Sequence, residues 1–374
     1  MKFVHISDLH IGKRLNEFSL EEDQRYILRQ ILDIIDAESP DAVLIAGDVY
    51  DNTTPGNESV NIFDEFLTEL SKRECQTFIS AGNHDSADKL SFGRRMFADR
   101  GIHISHVYDG TLERHTVSKG DEKVDVYMMP FIKPATARRY HPDEKIETYD
   151  DAVRVTIDSS GISDGKKVLV AHQFVTNGDF RPAVSDSETF SVGGLDNVSG
   201  SLFGMFDYVA LGHLHVPQNV GEDRIRYCGS PLKYSKSESR ADKSVTVVEM
   251  DDDVKVRTVP LKPLRDVRVV KGPLDGIIAA GKTDPDRDDY IYAELTDINP
   301  IDAMAKLREV YPNICAMETG RAERGGADLD ADDTEKVDPM KLFSELYEHE
   351  MDRELTDGQR SIIEDLFEES GVMY

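Results

Sequence analysis

Five short polar motifs, each following an apolar run of strand length, constrain this 374-residue chain more than any other feature. Lys2–Ile6 leads into Asp8-Leu9-His10, and Ala42–Ala46 into Gly47-Asp48. Thr77–Ser80 leads into Gly82-Asn83-His84-Asp85. Lys167–Val170 leads into Ala171-His172, and Tyr208–Leu211 into Gly212-His213-Leu214-His215. Continuous apolar runs bounded by glycine and polar residues read as strands buried on both faces. Between the first three lie amphipathic stretches, Leu20–Ala37 and Glu58–Arg73. In the first, Ile27, Leu28, Ile31, Leu32, Ile34 and Ile35 recur at helical spacing, and Ser39-Pro40 stops the helix. This β-α-β-α-β rhythm predicts an α/β fold, a sheet covered by helices.

Further strands are predicted at Val126–Met129, Ile225–Cys228, Ser244–Met250 and Val254–Val259, the last three antiparallel because tight turns separate them. The core should span residues 1–262, with a boundary at Lys262-Pro263. Residues 263–318 hold two strand-like runs, Val267–Val270 and Tyr290–Glu294, and one helical pattern, Pro300–Val310: a small α+β unit. Residues 319–337 are Gly/Asp-rich and read as an acidic linker. Residues 338–374 carry two helical patterns, Pro339–Met351 and Asp357–Phe367, each with one apolar face. A hairpin this short cannot bury those faces alone, so it should dock on a partner. From 321 to 374 there are 17 acidic and 6 basic residues, which suggests a basic docking surface.

In α/β sheets, functional groups gather beyond the carboxyl ends of the strands. Five strand ends can therefore bring Asp8, His10, Asp48, Asn83, His172, His213 and His215 together. Imidazole with carboxylate suits Mn, Fe, Co or Zn, and seven ligands fit two ions that share one. Two divalent ions about 4 Å apart repel by about 15–20 kcal/mol at an effective dielectric of about 20, so a carboxylate between them is the remedy. Asp48 is the candidate bridge. His84, next to a candidate ligand, is placed to act on the leaving oxygen as a general acid or to stabilise the transition state.

Each motif alone has a plainer reading. Gly-Asp after a strand is usually a turn, and a single Asp-x-His is weak. The recurrence behind five strands carries the inference. His5 should pack within the first strand. His103, His106 and His115 have no partner motif, and His141 and His349 should be exposed. Gly193-Gly194 and Gly325-Gly326 read as loops. Lys13, Arg14, Arg94 and Arg95 read as solvated surface, with phosphate contact as the alternative.

The formal net charge of −28 disfavours nucleic-acid binding through a broad positive surface, while leaving room for a local groove. Three widely spaced cysteines fit a reducing compartment. No run reaches the ~18 apolar residues needed to span a bilayer, and no signal core opens the chain. The expectation is a cytoplasmic protein without a membrane.

At its five motifs the sequence resembles the calcineurin-like metallophosphoesterases. That resemblance implies an αββα sandwich of two sheets with a dinuclear site. Asp8, His10, Asp48 and His215 would hold one metal, and Asp48, Asn83, His172 and His213 the other. His84 matches the family's catalytic histidine. The longer strings ISDLHIGKRL, IAGDVYD, SAGNHDS, YVALGHLHVPQ and IRYCGSPLKYS are similar to bacterial nuclease subunits that work with a coiled-coil ATPase. These are related to archaeal and eukaryotic double-strand-break repair nucleases. The resemblance covers essentially the whole chain. It implies an ATP-regulated, Mn-dependent exonuclease and endonuclease acting on DNA ends and hairpins in repair and recombination. It further implies a homodimer within a heterotetramer, a DNA-capping domain at 263–318, and a hairpin at 338–374 docked on the ATPase. Two positions depart from the pattern: Leu9 stands where many bacterial members have Trp, and Asp51 where archaeal and eukaryotic relatives tend to have His.

Rival readings are a small-molecule phosphodiesterase or protein phosphatase on the same fold, or an inert scaffold. A protein phosphatase would want an Arg soon after the second motif, where Asp51-Asn52-Thr53 stands. A scaffold would have lost a ligand position, and none is lost.

Overall fold

The computed structural model describes residues 1–178, 182–188, 197–298 and 300–320, with scattered positions between 340 and 363. Residues 1–320 form one compact unit and 321–374 another.

Two six-stranded sheets build the larger unit. In the first, β1 (Lys2–Ile6), β2 (Ala42–Ala46), β3 (Gln76–Ser80) and β4 (Ile102–Ile104) run parallel in that order. The hairpin of β11 (Ser244–Met250) and β12 (Val254–Pro260) adds to the other side of β1, antiparallel. In the second, β6 (Glu122–Met129), β7 (Lys167–His172), β8 (Tyr208–Gly212) and β10 (Glu222–Tyr227) run parallel. Its edges are β5 (Glu113–Lys119) and β9 (Gln218–Val220), both antiparallel.

Strand alternation sends each side chain to one of two layers. Phe3, Leu44, Ala46 and Phe78 of the first sheet meet Val126, Met128, Val168, Val170 and Ala210 of the second, forming the inner core. On the outer face of the first sheet, Val4, Ile6, Val43 and Ile45 pack with Ile27, Ile31 and Ile35 of α1 (Glu21–Glu38) and Ile62 and Phe66 of α2 (Asn57–Leu70). The outer face of the second sheet takes α3 (Tyr149–Asp158), through Ala152, Val153, Val155 and Ile157. Thr148 starts α3 with a capping box closed by Asp151. The layering is therefore αββα. His5 lies in the inner layer, its Nδ1 2.9 Å from the Tyr208 hydroxyl.

One expected pairing differs. Residues 225–228 were expected to be antiparallel to their neighbours, yet β10 runs parallel to β8, with Val209 opposite Ile225. The tight turn before β10 serves the pairing with the short edge strand β9. The chain has therefore already reversed twice when it meets β8.

Residues after 262 form a third, parallel sheet of β13 (Val267–Gly272), β14 (Tyr290–Leu295) and β15 (Ile314–Glu318). Helices α4 (Leu274–Gly281) and α5 (Ala303–Arg308) cover one face, around Ile277, Ile291, Leu307 and Ile314. The sequence indicated only β13, β14 and α5. The third strand carries a polar end, and α4 holds glycines that weaken a helical pattern.

Asp23, buried in the first turn of α1, accepts hydrogen bonds from the Tyr290 hydroxyl (2.8 Å) and Arg265 Nε (3.1 Å). The adjacent Gln24 turns the other way. Its Nε2 donates to the His10 carbonyl (2.7 Å), and its Oε1 accepts from the Gly12 amide (3.0 Å). One helical turn thus holds both the third sheet and the loop carrying His10.

The expected linker and helical hairpin fall largely outside the described residues. Of the hairpin, Phe343 and Tyr347 are helical, with ring centroids 6.5 Å apart. Among the described residues no helix is long and apolar enough to cross a membrane.

Asp23→Ala leaves the buried Tyr290 hydroxyl without its acceptor, at a cost of roughly 1–3 kcal/mol, and leaves Arg265 with Glu22 alone. Hydrogen exchange should speed up in residues 263–318 while β1 and β2 stay protected. Unchanged exchange in that segment would count against the latch.

Candidate metal centre

The carboxyl ends of β1, β2 and β3 meet those of β7 and β8 at one place. Asp8, His10, Asp48, His172, His213 and His215 are buried there, with Asn83 and His84 half-buried beside them. All eight residues singled out in the sequence are brought together. Among the described residues, three groupings have donor atoms close enough to share an ion. They are Asp8–His10–His215, His10–Asp48–His84 and Asp8–Asp48–His172. Asp48 belongs to two of them, reaching His10 on one side and His172 on the other.

The backbone is bent to achieve this. Asp8, His10, Asp48 and His213 have φ values of 52°, 42°, 49° and 107°. A positive φ costs a non-glycine residue roughly 1–3 kcal/mol and persists only where surroundings enforce it. The glycines ahead of the motifs serve close approach. A Cβ on Gly212 would lie 1.9 Å from the Ala46 carbonyl oxygen, and one on Gly82 would lie 2.1 Å from Asp48 Oδ1.

One ring proton can be placed. His172 Nδ1 lies 2.8 Å from the Ala46 carbonyl, which only accepts, so Nδ1 carries a proton. Its Nε2 then faces Asp48 Oδ2 at 3.2 Å and Asn83 Oδ1 at 3.0 Å. His10 Nδ1 lies 3.3 Å from the Asp51 carboxylate without a hydrogen bond between them, and its Nε2 lies 3.1 Å from His215 Nε2. Two ring nitrogens that close must share either a proton or a cation. Ligands about 2.1 Å from one ion, at about a right angle, sit about 3 Å apart. The donor set therefore fits divalent cations.

Charge points the same way. Burial pushes His10 down, His213 to about 3 and His215 to about 4, so these rings are neutral and ready as ligands. Burial also works against a charged His172, but the Asp48 carboxylate outweighs it and lifts the ring to about 9. Burial raises Asp8 to about 8. Burial opposes ionisation of Asp48 too, yet His172 holds it well below the carboxylate range. Without a metal the centre retains protons on His172 and Asp8, a demand for positive charge that a cation also meets.

Supporting residues escaped the sequence reading. Asp85 caps the amides of Val49, Tyr50 and Gly82 at 2.9–3.1 Å, fixing the Asp48 and Asn83 loops together. The Tyr234 hydroxyl donates to the Leu9 carbonyl at 2.6 Å, and Ser187 Oγ sits 2.8 Å from His215 Nδ1. Glu188 accepts from the His215 amide. Tyr234 belongs to the YCGSPLKYS string, which was the available signal. Lys13 does reach the centre, 2.9 Å from Asp51. Arg14 and Arg94 turn to Glu17 and Glu113. His141, expected exposed, is half-buried and bonds the Gly110 carbonyl at 2.9 Å. His103 and His115 lie with ring centroids 4.1 Å apart, away from the centre. His349, Gly193-Gly194 and Gly325-Gly326 lie outside the described residues.

A family model for calcineurin-like phosphoesterases matches residues 1–217. A second, described as the Type 5 capsule protein repressor C-terminal domain, matches residues 263–351. The SbcD subunit of the SbcCD nuclease of Staphylococcus epidermidis is 31% identical over 374 residues, 98% of each chain. This chain belongs to the calcineurin-like phosphoesterases, in the SbcD nuclease family. Among solved structures, the anchor in the inner membrane complex of Plasmodium has a TM-score of 0.44 at 11% identity, covering 87% of this chain and 98% of its own. A dimetal phosphatase from Danio rerio has a TM-score of 0.40 at 11% identity, covering 71% and 98%. As a calcineurin-like phosphoesterase the chain is a hydrolase that uses divalent metal.

Asp8 and His172 make the stability of the metal-free protein depend on pH. Folded, they hold their protons to about 8 and about 9; unfolded, both release them earlier. Between about pH 7 and about pH 9 the metal-free folded state binds more protons than the unfolded, so raising pH favours unfolding. The denaturation midpoint of chelator-treated protein should fall across that window. Protein loaded with Mn²⁺ should show a higher, flatter midpoint. A flat profile without metal would contradict the assignment.

Proposed function

We propose that this metal-dependent nuclease subunit hydrolyses DNA phosphodiesters at DNA ends and hairpins, as an exonuclease and endonuclease in repair and recombination. The observation that carries the reading is the convergence of imidazole and carboxylate side chains from five strand ends of two sheets, buried within reach of one another. Asp8, His10, Asp48 and His215 would hold one ion, and Asp48, Asn83, His172 and His213 the other, with Mn²⁺ the proposed metal. Bound divalent ions supply charge that acidifies a water and neutralises the phosphate oxygens.

The contacts of His84 support a role on the leaving group. Its amide donates to Asp48 Oδ1 at 2.9 Å, tying it to the bridging carboxylate. Its Nδ1 lies 2.8 Å from the Asp51 carbonyl and must be the donor there. Nε2 is then the atom left to exchange a proton with the leaving oxygen.

Residues 263–318 would cap the DNA. Lys236, Arg240, Arg268 and Lys271 line a cleft of about 800 Å³ beside them, shared with Asp186, Glu294 and Glu318, and all but Arg240 are ion-paired. In a chain of net charge −28, four cations gathered in one cleft support a DNA backbone path there, with phosphates exchanging for the carboxylates that pair them. Residues 338–374, joined by the acidic linker 319–337, would dock on an SbcC-type coiled-coil ATPase whose ATP cycle gates the site. The assembly would be a homodimer within a heterotetramer. Phe92 and Met96, 84% and 78% exposed on and beside the helix Arg94–Ala98, support a contact between copies there. The free thiols of Cys75, Cys228 and Cys315 support a cytoplasmic setting.

Cleavage of linear and hairpin DNA should occur with Mn²⁺ and stop with chelator. His84→Gln should abolish cleavage while metal content stays intact, and turnover of small phosphodiesters alone would sink the DNA reading. Light scattering should show Phe92→Glu/Met96→Glu as a monomer where the parent is a dimer; a dimeric variant would move the contact elsewhere.

A further inference from the structure

A fully buried carboxylate, Glu238, lies directly behind His215 and belongs to none of the five motifs. It sits on the short 3-10 turn Lys236–Arg240. Its Oε1 accepts from Ser187 Oγ at 2.6 Å and from the Tyr234 amide at 3.2 Å, and lies 3.4 Å from His215 Nδ1. Its Oε2 accepts from Lys243 Nζ at 2.6 Å. Lys243, buried as well, gives further protons to the His215 carbonyl at 2.7 Å and to Ser230 Oγ at 2.8 Å.

A buried ion pair is a weak stabiliser, because a well-packed apolar pair of similar size does as well or better. The placement of this one suggests another purpose. Ser187 gives its proton to Glu238, so at 2.8 Å from His215 Nδ1 its oxygen can only accept. The His215 ring therefore carries its proton on Nδ1. Lys243 meanwhile holds the backbone carbonyl of the same residue. Ring and backbone are fixed by the two halves of one ion pair.

We propose that Glu238 is the positioning residue for His215. Through Ser187 it fixes the tautomer that leaves the Nε2 lone pair facing His10 Nε2, so one metal position has its nitrogen pair formed before any ion arrives. Lys243 holds Glu238 in place and balances its charge. The inference rests on the reading of His10 and His215 as ligands of one ion. Outer partners of this kind typically set metal affinity by roughly 10- to 100-fold.

The test is stepwise Mn²⁺ titration of the chelator-stripped full chain by calorimetry, with histidine ¹⁵N resonances read on the metal-free protein. Ser187→Ala breaks the relay and spares the ion pair. Glu238→Gln/Lys243→Met removes both charges together and avoids a stranded lysine. Both variants should weaken one Mn²⁺ step by roughly 10- to 100-fold, leave the other step in place, and give His215 a mixed tautomer signal. Ser187→Thr should restore the parent values. Two unchanged steps with an unchanged His215 signal would overturn the proposal, as would equal weakening of both steps together with a lower melting point of the metal-free chain. A parent chain that binds no Mn²⁺ would instead overturn the ligand reading itself.

Discussion

Two carboxylates, Asp8 and Asp48, are buried where the ends of the two sheets meet. Buried negative charge must be neutralised, and the whole arrangement follows from how this is done. His172 crosses from the second sheet to bond the last carbonyl of β2 and faces Asp48 with its other nitrogen. The His213 amide crosses likewise to Asp8, at 3.0 Å. The sheets are thus joined at their carboxyl ends by the groups that form the centre. Four residues there accept positive φ because these contacts over-determine them. The resulting strain is offset by the extensive apolar inner layer between the sheets.

How much of this could be read from the chain depends on distance along it. The central strands and the two helices of the first sheet are local patterns, and apolar runs of this kind are bounded by their own turn residues. The gathering of the eight candidate residues was legible because each follows a strand and the ends of parallel strands share an edge. Partnerships set by the fold were not legible. Asp85 looked like the tail of a turn, yet it binds three amides from two loops. Gln24 is one polar residue in an amphipathic helix, and no periodicity says that it faces the His10 loop. Glu238 lies in a polar stretch, KSESR, that reads as surface. The parallel course of β10 was hidden because its antiparallel partner is a strand of three residues.

The acidity of the chain and its chemistry occupy different places. Many of the excess carboxylates are on the surface, where water screens them. The centre works the opposite way. Its rings are mostly neutral, its carboxylates are enclosed, and burial makes each charge count more. A strongly negative protein can therefore handle a polyanion, provided that the charge meeting the phosphate is concentrated at one point.

The first turn of α1 joins these scales. Asp23 is held by Arg265 and Tyr290 of the third sheet, and Gln24 beside it holds the His10 loop. Binding equilibria that share an element are reciprocal. Whatever factor the seating of the third sheet contributes to metal affinity, occupancy by metal returns to that seating. With His10 as a proposed ligand, any contact that shifts residues 263–318 would be felt there as a change in ion retention. Loading with metal would in turn stiffen a surface that contributes no ligand of its own.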